Sequence, residues 1–258
     1  MSVLRLLLPG STVVGDLGED REATLQAVAD LYAYPELLPA GGWVRANMVS
    51  TVDGSAVATD GVTADISHPV DKAVFGVLRA LADVVLVGAG TVRAERYGPV
   101  RPHPVLAARR AAQGRSPAPV LAVVTRSGRL PADTGLFEPG AGTLVVAPAT
   151  ADLDGLRRVA GAGNVVVAGA DDVDPVAATA ELARRGLPRV LLEGGPTLLG
   201  RVVTAGRLDE LCLTLSPMLT AGDGPRIAVG AAASARLRVA HLMEGDGLLL
   251  GRWQVVPD

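Results

Sequence analysis

The chain has a single cysteine, Cys212, so no intrachain disulfide can form, and its apolar strand setting between Leu211 and Leu213 points to a buried, inert thiol. Its three histidines, His68, His103 and His241, stand far apart and lack the short spacings of zinc or iron ligands, so no metal site is expected. Aromatic residues make up only 3% of the chain. The core must therefore be assembled from Val, Leu and Ala, as parallel sheets covered by helices usually are. Basic charge is not in excess either: a net charge of −3 offers no field for a phosphate backbone, and no stretch interleaves Arg or Lys with aromatics. Nucleic acid is accordingly not an expected partner. Long hydrophobic runs are missing as well. Leu6-Leu7-Leu8 is stopped by Pro9-Gly10, too short for a signal segment or a span, so no membrane is expected and the expected location is cytoplasmic.

What the chain has instead is glycine, 31 residues of it. Two glycine clusters sit directly behind β-branched strands: Val84-Val85-Leu86-Val87-Gly88-Ala89-Gly90-Thr91 and Arg189-Val190-Leu191-Leu192-Glu193-Gly194-Gly195-Pro196-Thr197. Without a Cβ, glycine lets backbone N–H groups approach a phosphate closely, and a helix opening after the turn adds the positive end of its dipole. Two such strand exits can grip one diphosphate, which points to a nucleotide cofactor. The first is not a standard dinucleotide fingerprint, because Gly88-Ala89-Gly90-Thr91-Val92-Arg93 lacks the third glycine and a strand and helix already precede it.

Hydrophobic residues at 49% against 20% charged suit one large α/β domain over residues 1–258. The pattern predicts a helix from Glu22 to Tyr34, closed by Pro35, and a strand from Trp43 to Ser50. After the turn Asp53-Gly54-Ser55, Pro69 opens a helix with Val70, Ala73, Val74, Val77, Leu78 and Leu81 facing inward, and strand Val84–Val87 follows. Ala107–Pro119 reads as a surface loop. Strands are expected at Val120–Val124, Thr143–Val146, Val165–Val167 and Val190–Leu192, with helices at Asp174–Arg185 and Leu198–Ala205. Leu211–Leu215 and Leu248–Val256 read as strands with no long helix between them, so an antiparallel C-terminal edge is expected on an otherwise parallel sheet.

Four ordered segments carry a family resemblance: Asn47-Met48-Val49-Ser50-Thr51-Val52-Asp53-Gly54, the stretch from Leu78 to Glu95, Glu193-Gly194-Gly195-Pro196-Thr197-Leu198-Leu199, and Leu208-Asp209-Glu210-Leu211 leading to Ser216-Pro217. Over residues 43–217 the chain resembles the pyrimidine reductase family of riboflavin biosynthesis, in a stand-alone form of the reductase domain. The resemblance implies a dihydrofolate-reductase-like α/β fold, with a mixed, mostly parallel sheet flanked by helices. It also implies a bound NADPH, a homodimer, and reduction of 5-amino-6-(5-phosphoribosylamino)uracil to its ribitylamino product. In such enzymes the nicotinamide supplies the hydride and the protein positions it.

Carried over residue by residue, the resemblance places Glu95 beside nicotinamide and substrate, where a carboxylate can orient the substrate or relay a proton. Arg79 and Arg101 match arginines that hold the substrate phosphate, a task for a planar, permanently charged fork. Thr63 lies near a substrate-binding serine, and Glu193 matches a glutamate that touches the substrate. Asn47, Ser50, Gly88, Gly90 and Thr91 are expected beside the cofactor, as are Gly194, Gly195, Pro196, Thr197 and Leu198 around its diphosphate. Here the N–H groups of Thr197 and Leu198 remain free to face an anion. Thr125-Arg126-Ser127, a hydroxyl-Arg-hydroxyl group at a strand end, suits the 2′-phosphate that separates NADPH from NADH.

Two departures bear on the substrate. Ser55 follows Asp53-Gly54 where many pyrimidine reductases carry a basic residue, and one cysteine cannot supply the zinc signature of a deaminase half. Reduction of dihydrofolate or a related pteridine, and a non-catalytic NADPH-binding role, stay open at this level. Asp53 reads equally as a structural turn residue or as polar lining of the site. Residues 1–42, with Tyr32, Tyr34 and then Trp43, form an N-terminal extension and helix that could cover part of it.

Overall fold

Alternation of small branched side chains decides the architecture. In β4 (Val84–Gly88) Val85 and Val87 pack into one apolar cluster, Val84 and Leu86 into another, and all four are buried. That is the pattern of a strand covered on both faces. The structure, a computed structural model, describes residues 2–58, 63, 65–130, 135–138 and 140–257. Among these, ten further strands complete one sheet with β4: β1 (Val3–Leu8), β2 (Thr12–Asp16), β3 (Trp43–Thr51), β5 (Val120–Val124), β6 (Leu144–Ala147), β7 (Val165–Val167), β8 (Arg189–Leu192), β9 (Glu210–Ser216), β10 (Leu237–Gly245) and β11 (Leu248–Val255). Their order is β2-β1-β10-β11-β9-β3-β8-β4-β5-β6-β7. From β9 to β7 every pairing is parallel; from β9 outward through β11, β10, β1 and β2 every pairing is antiparallel. This is the expected mixed, mostly parallel sheet.

One face is covered by α1 (Arg21–Leu31) and α2 (Pro69–Leu81), which contribute Leu25, Val28, Val74, Val77 and Leu78 to the larger cluster. Pro69 stands at the first position of α2, behind His68, whose Nδ1 accepts the Val70 N–H. The six apolar positions predicted to face inward are all buried. The other face carries α6 (Pro175–Arg184) and α7 (Pro196–Thr204), through Leu182, Leu199 and Val202. Three shorter helices are α3 (Ala89–Ala94), α4 (Ala107–Ala112) and α5 (Leu153–Ala160).

The antiparallel side is larger than the sequence pattern suggests. β10 pairs with β11 across Asp246 and Gly247, both at positive φ, and the N-terminal hairpin β1–β2 adds to β10. The Asp-Gly pair is the signature of a two-residue hairpin turn. The reading of Ala107–Pro119 as a loop also needs correction. It holds α4, and Arg110 within it is 1% exposed, its guanidinium donating to the carbonyls of Ala80 and Ala82 at the end of α2 and to Ser116. A buried arginine there satisfies carbonyls that a helix end leaves unpaired.

At the N-terminal ends of the parallel strands the N-terminal segment meets a buried charge cluster. Arg45 on β3 is fully buried, its Nε 2.5 Å from Glu210 on β9, and Arg252 on β11 donates to the other Glu210 oxygen at 2.9 Å. Arg252 also donates to the carbonyls of Leu31 and Ala33, binding the end of α1 to the sheet, and the Tyr34 ring lies 4.0 Å from the Arg45 guanidinium carbon. Tyr32 and Tyr34 are thus spent on this cluster, and neither they nor Trp43 border the cleft described below. Burial alone would raise the Glu210 carboxyl; Arg45 and then Arg252 outweigh it and hold the carboxyl below its ordinary range. Burial and the Glu210 charge push the Cys212 thiol up, so it stays protonated.

His241 packs edge-on against Tyr32, and burial, then the charge of Arg252, lowers its pKa to about 4. A histidine that must be neutral when folded contributes stability that is complete above about 6.5 and is lost as pH falls from there toward 4. Urea unfolding should therefore weaken by on the order of 3 kcal/mol across that window, with a shallower slope in His241→Gln. Glu210→Gln should cost about 3–5 kcal/mol at neutral pH, because two buried guanidiniums lose their counter-charge.

Candidate active site

The C-terminal ends of β3, β4, β5 and β8 open into one cleft of about 1640 Å³, the place where open α/β sheets bind ligands. Its floor is made by the two glycine turns. Gly88 ends β4 in extended conformation and α3 begins at Ala89; Gly194, at φ +94°, and Gly195 join β8 to α7 through a cis peptide. The turns touch: the Gly88 N–H donates to the Gly194 carbonyl at 2.9 Å. A Cβ on Gly195 would lie 2.8 Å from Thr91 Oγ1, so the Thr91 hydroxyl occupies the space that the missing side chain leaves. Pro196 takes the first position of α7 as expected. The Leu198 N–H, however, donates to Gly195 O at 3.0 Å. Of the two donors expected to face an anion, only that of Thr197 is without a backbone partner among the described residues.

Opposite this floor, the end of α3 builds a second wall. Arg96 adopts φ +51°, and the Tyr97 N–H bonds the Val92 carbonyl at 3.0 Å, a helix-terminating turn of the Schellman type. The turn brings Glu95 and Tyr97 to the cleft. Glu95 Oε1 accepts from Thr63 Oγ1 at 2.5 Å, so the candidate catalytic carboxylate and the candidate substrate hydroxyl are direct partners. The third wall is α2, whose Lys72, Phe75, Gly76 and Arg79 follow helical i, i+3, i+4, i+7 spacing on the side away from the core.

Arg79 and Glu193 are bound to each other. Arg79 Nε and Nη2 donate to the two Glu193 oxygens at 2.7 and 2.6 Å, and the Tyr97 hydroxyl adds a third bond, to Oε2, at 2.9 Å. Glu193 is nearly fully buried while the Arg79 side chain keeps 28% of its surface exposed. Burial would lower the Arg79 pKa, but the bonds and charge of Glu193 raise it, and burial with the same charge raises that of Tyr97. Both therefore stay protonated donors.

Of the residues singled out from sequence, Asn47, Thr63, Arg79, Gly88, Gly90, Thr91, Glu95, Arg101, Thr125, Arg126, Ser127, Glu193, Gly194, Gly195, Pro196, Thr197 and Leu198 border the cleft. Ser50 does not; it is buried in the sheet. Arg101 and Arg126 are exposed. The Thr125 and Ser127 hydroxyls accept the N–H groups of Gly128 and Arg129, closing their own turn. Asp53 is a turn residue: it accepts from Thr51 Oγ1 and from the Ala221 and Thr220 N–H groups, which lower its pKa to about 2. Lys72, Phe75, Tyr97 and His103 also border the cleft and were missed. The spacing from Arg79 along α2 could have exposed Lys72 and Phe75; nothing local marks Tyr97.

Replacing Arg79 with Ala leaves a buried carboxylate with one donor in place of three. The expected cost is about 2 kcal/mol of stability, less in the double variant with Glu193→Gln, measured by urea titration.

Comparison with known proteins agrees with this fold. The model of the RibD C-terminal domain matches residues 42–248. A 2,5-diamino-6-ribosylamino-4(3H)-pyrimidinone 5′-phosphate reductase from Archaeoglobus fulgidus is 28% identical over 207 residues, 80% of this chain and 94% of that protein. The riboflavin biosynthesis protein RibD of Mycobacterium tuberculosis is 29% identical over 67% of this chain but only 41% of its own length. Among solved structures, a pyrimidine reductase-like protein from Corynebacterium diphtheriae superimposes with a TM-score of 0.77 at 26% identity, over 89% of this chain and 99% of the other. With its fold, its paired glycine turns and four-fifths of its length accounted for, the chain belongs to the RibD C-terminal domain family, the pyrimidine reductases of riboflavin biosynthesis.

Proposed function

We propose that the chain is an NADPH-dependent reductase of a phosphorylated ribosylaminopyrimidine, converting the ribosylamino group to ribitylamino. The observation that carries this reading is the contact of the two glycine turns at the base of the cleft, where Gly88, Gly194 and Gly195 form a cradle of bare backbone. The Thr91 hydroxyl, the Thr197 N–H and the start of α7 face that cradle with donors suited to a diphosphate. Arg126 stands exposed at the end of β5, where it supports a preference for a 2′-phosphate. When bound, the reduced nicotinamide supplies hydride to the imine carbon of the opened ribose. The protein's part is to hold the sugar phosphate and to serve the nitrogen with a proton: Glu95, held by Thr63, orients the substrate and relays a proton from solvent to the imine nitrogen as hydride reaches its carbon, and Arg79 with Arg101 supplies cationic charge for the phosphate.

The base admits two forms. The deaminated uracil is one; the diaminopyrimidinone is favoured by the match over 94% of a stand-alone relative named for it. NADPH oxidation with each compound, the product identified by mass, decides between them, and turnover of dihydrofolate alone would overturn both. Glu95→Gln should lower turnover about 100-fold with NADPH affinity nearly unchanged; an unchanged rate removes Glu95 from catalysis. Arg126→Ala should raise the KM for NADPH about tenfold and leave that for NADH alone. Assembly as a homodimer would cover the exposed Leu8, Leu237 and Val239 of the antiparallel edge, and sedimentation at the mass of one chain would refute it.

A further inference from the structure

We infer that Tyr97 is a positioning residue, whose hydroxyl holds the Glu193–Arg79 pair so that one edge of the Arg79 guanidinium is presented to the substrate phosphate. The inference rests on the proposed reduction of a phosphorylated substrate and adds to it a residue that no motif marks.

Three observations converge. Arg79 uses Nε and Nη2 on Glu193, so Nη1 is the guanidinium nitrogen that the carboxylate does not engage, on a side chain that borders the cleft. A bidentate pair holds the two groups in one plane. Tyr97 adds a third tie to it: its hydroxyl bonds Glu193 Oε2 at 2.9 Å, and its ring lies 5.4 Å from the Arg79 guanidinium carbon, with Phe75 at 4.2 Å. Both rings are within range for a cation over an aromatic face. Tyr97 is itself fixed by backbone, through the turn at Arg96 and the bond from its N–H to Val92, and its ring packs against the main core. The side chain is thus anchored independently of the pair that it holds. It stays protonated, so across the working pH range its hydroxyl keeps donating to Glu193.

The test uses the full-length chain and Tyr97→Phe, which keeps the ring and removes the hydroxyl, with Tyr97→Leu as the variant that removes both. Two readouts are taken. In the ligand-free protein, exchange of the Arg79 Nε proton, followed by nitrogen-15 NMR, should be about tenfold faster in Tyr97→Phe; unchanged exchange overturns the inference whatever the enzyme's substrate. In steady state, the KM for the phosphorylated substrate should rise about tenfold in Tyr97→Phe, with kcat within about twofold and NADPH affinity unchanged. The dephosphorylated analogue should show no such loss. Equal losses on both substrates would make Tyr97 a general packing residue and overturn the inference. No turnover by the wild-type chain would instead refute the proposed reaction, and the exchange measurement would still judge Tyr97.

Discussion

A single backbone hydrogen bond, from Gly88 N–H to Gly194 O, sets the terms for the rest of the structure. It joins the exits of two neighbouring strands, β4 and β8, that are remote in sequence, at a turn where Gly194 sits at φ +94° and a Cβ on Gly195 would run into the Thr91 hydroxyl. Chain order makes β8 late, yet it is inserted between β3 and β4, strands formed more than a hundred residues earlier. The cleft can form only once that insertion is complete. The price of such a non-local closure is entropic, and the buried Val and Leu of both faces of β8 offset it.

The two ends of the parallel strands divide the labour. At the N-terminal ends Arg45, Glu210 and Arg252 form a buried ionic cluster, with Asp209 accepting the Val44 N–H and an Arg207 N–H beside it. At the C-terminal ends the charges are arranged around space. The segment Leu208-Asp209-Glu210-Leu211 belongs to the first set, so one of the four stretches by which the family is recognised keeps the sheet together and borders no part of the cleft. Buried ion pairs of this kind are weak sources of net stability, but they tolerate only one register, and here they hold β3, β9 and β11 in theirs.

Much of this was legible in the sequence, for physical reasons that differ from part to part. The core strands announce themselves because burial on both faces demands unbroken runs such as Val84–Val87, and α2 because its apolar positions repeat at helical spacing. The glycine turns are visible because clustered glycines stand directly behind β-branched strands, and two of them are needed: Gly194 for its positive φ and Gly195 for its closeness to Thr91. What escaped depends on long-range partners. β1, β2 and β10 are half-exposed strands with weak patterns, legible only through their mutual pairing, although Asp246-Gly247 signals one hairpin. Arg110 in an apparently polar loop is buried because distant carbonyls of α2 need donors. Tyr97 carries no motif, since its role follows from where the end of α3 aims it.

Arg79 shows why fold and site are not separable here. As a residue of α2 it lies on the face that the core does not use; as the partner of Glu193 it ties that helix to the β8 exit, just ahead of the cis turn. A lysine could neutralise the same carboxylate but could not bond both oxygens in one plane and still offer a third nitrogen to the cleft. The pair that stabilises the end of β8 is therefore the pair that gives the cleft its cationic wall. Its geometry is shared between Glu193, which the glycine turn positions, and Tyr97, which the α3 turn positions. A displacement of either turn moves the charge that borders the cleft.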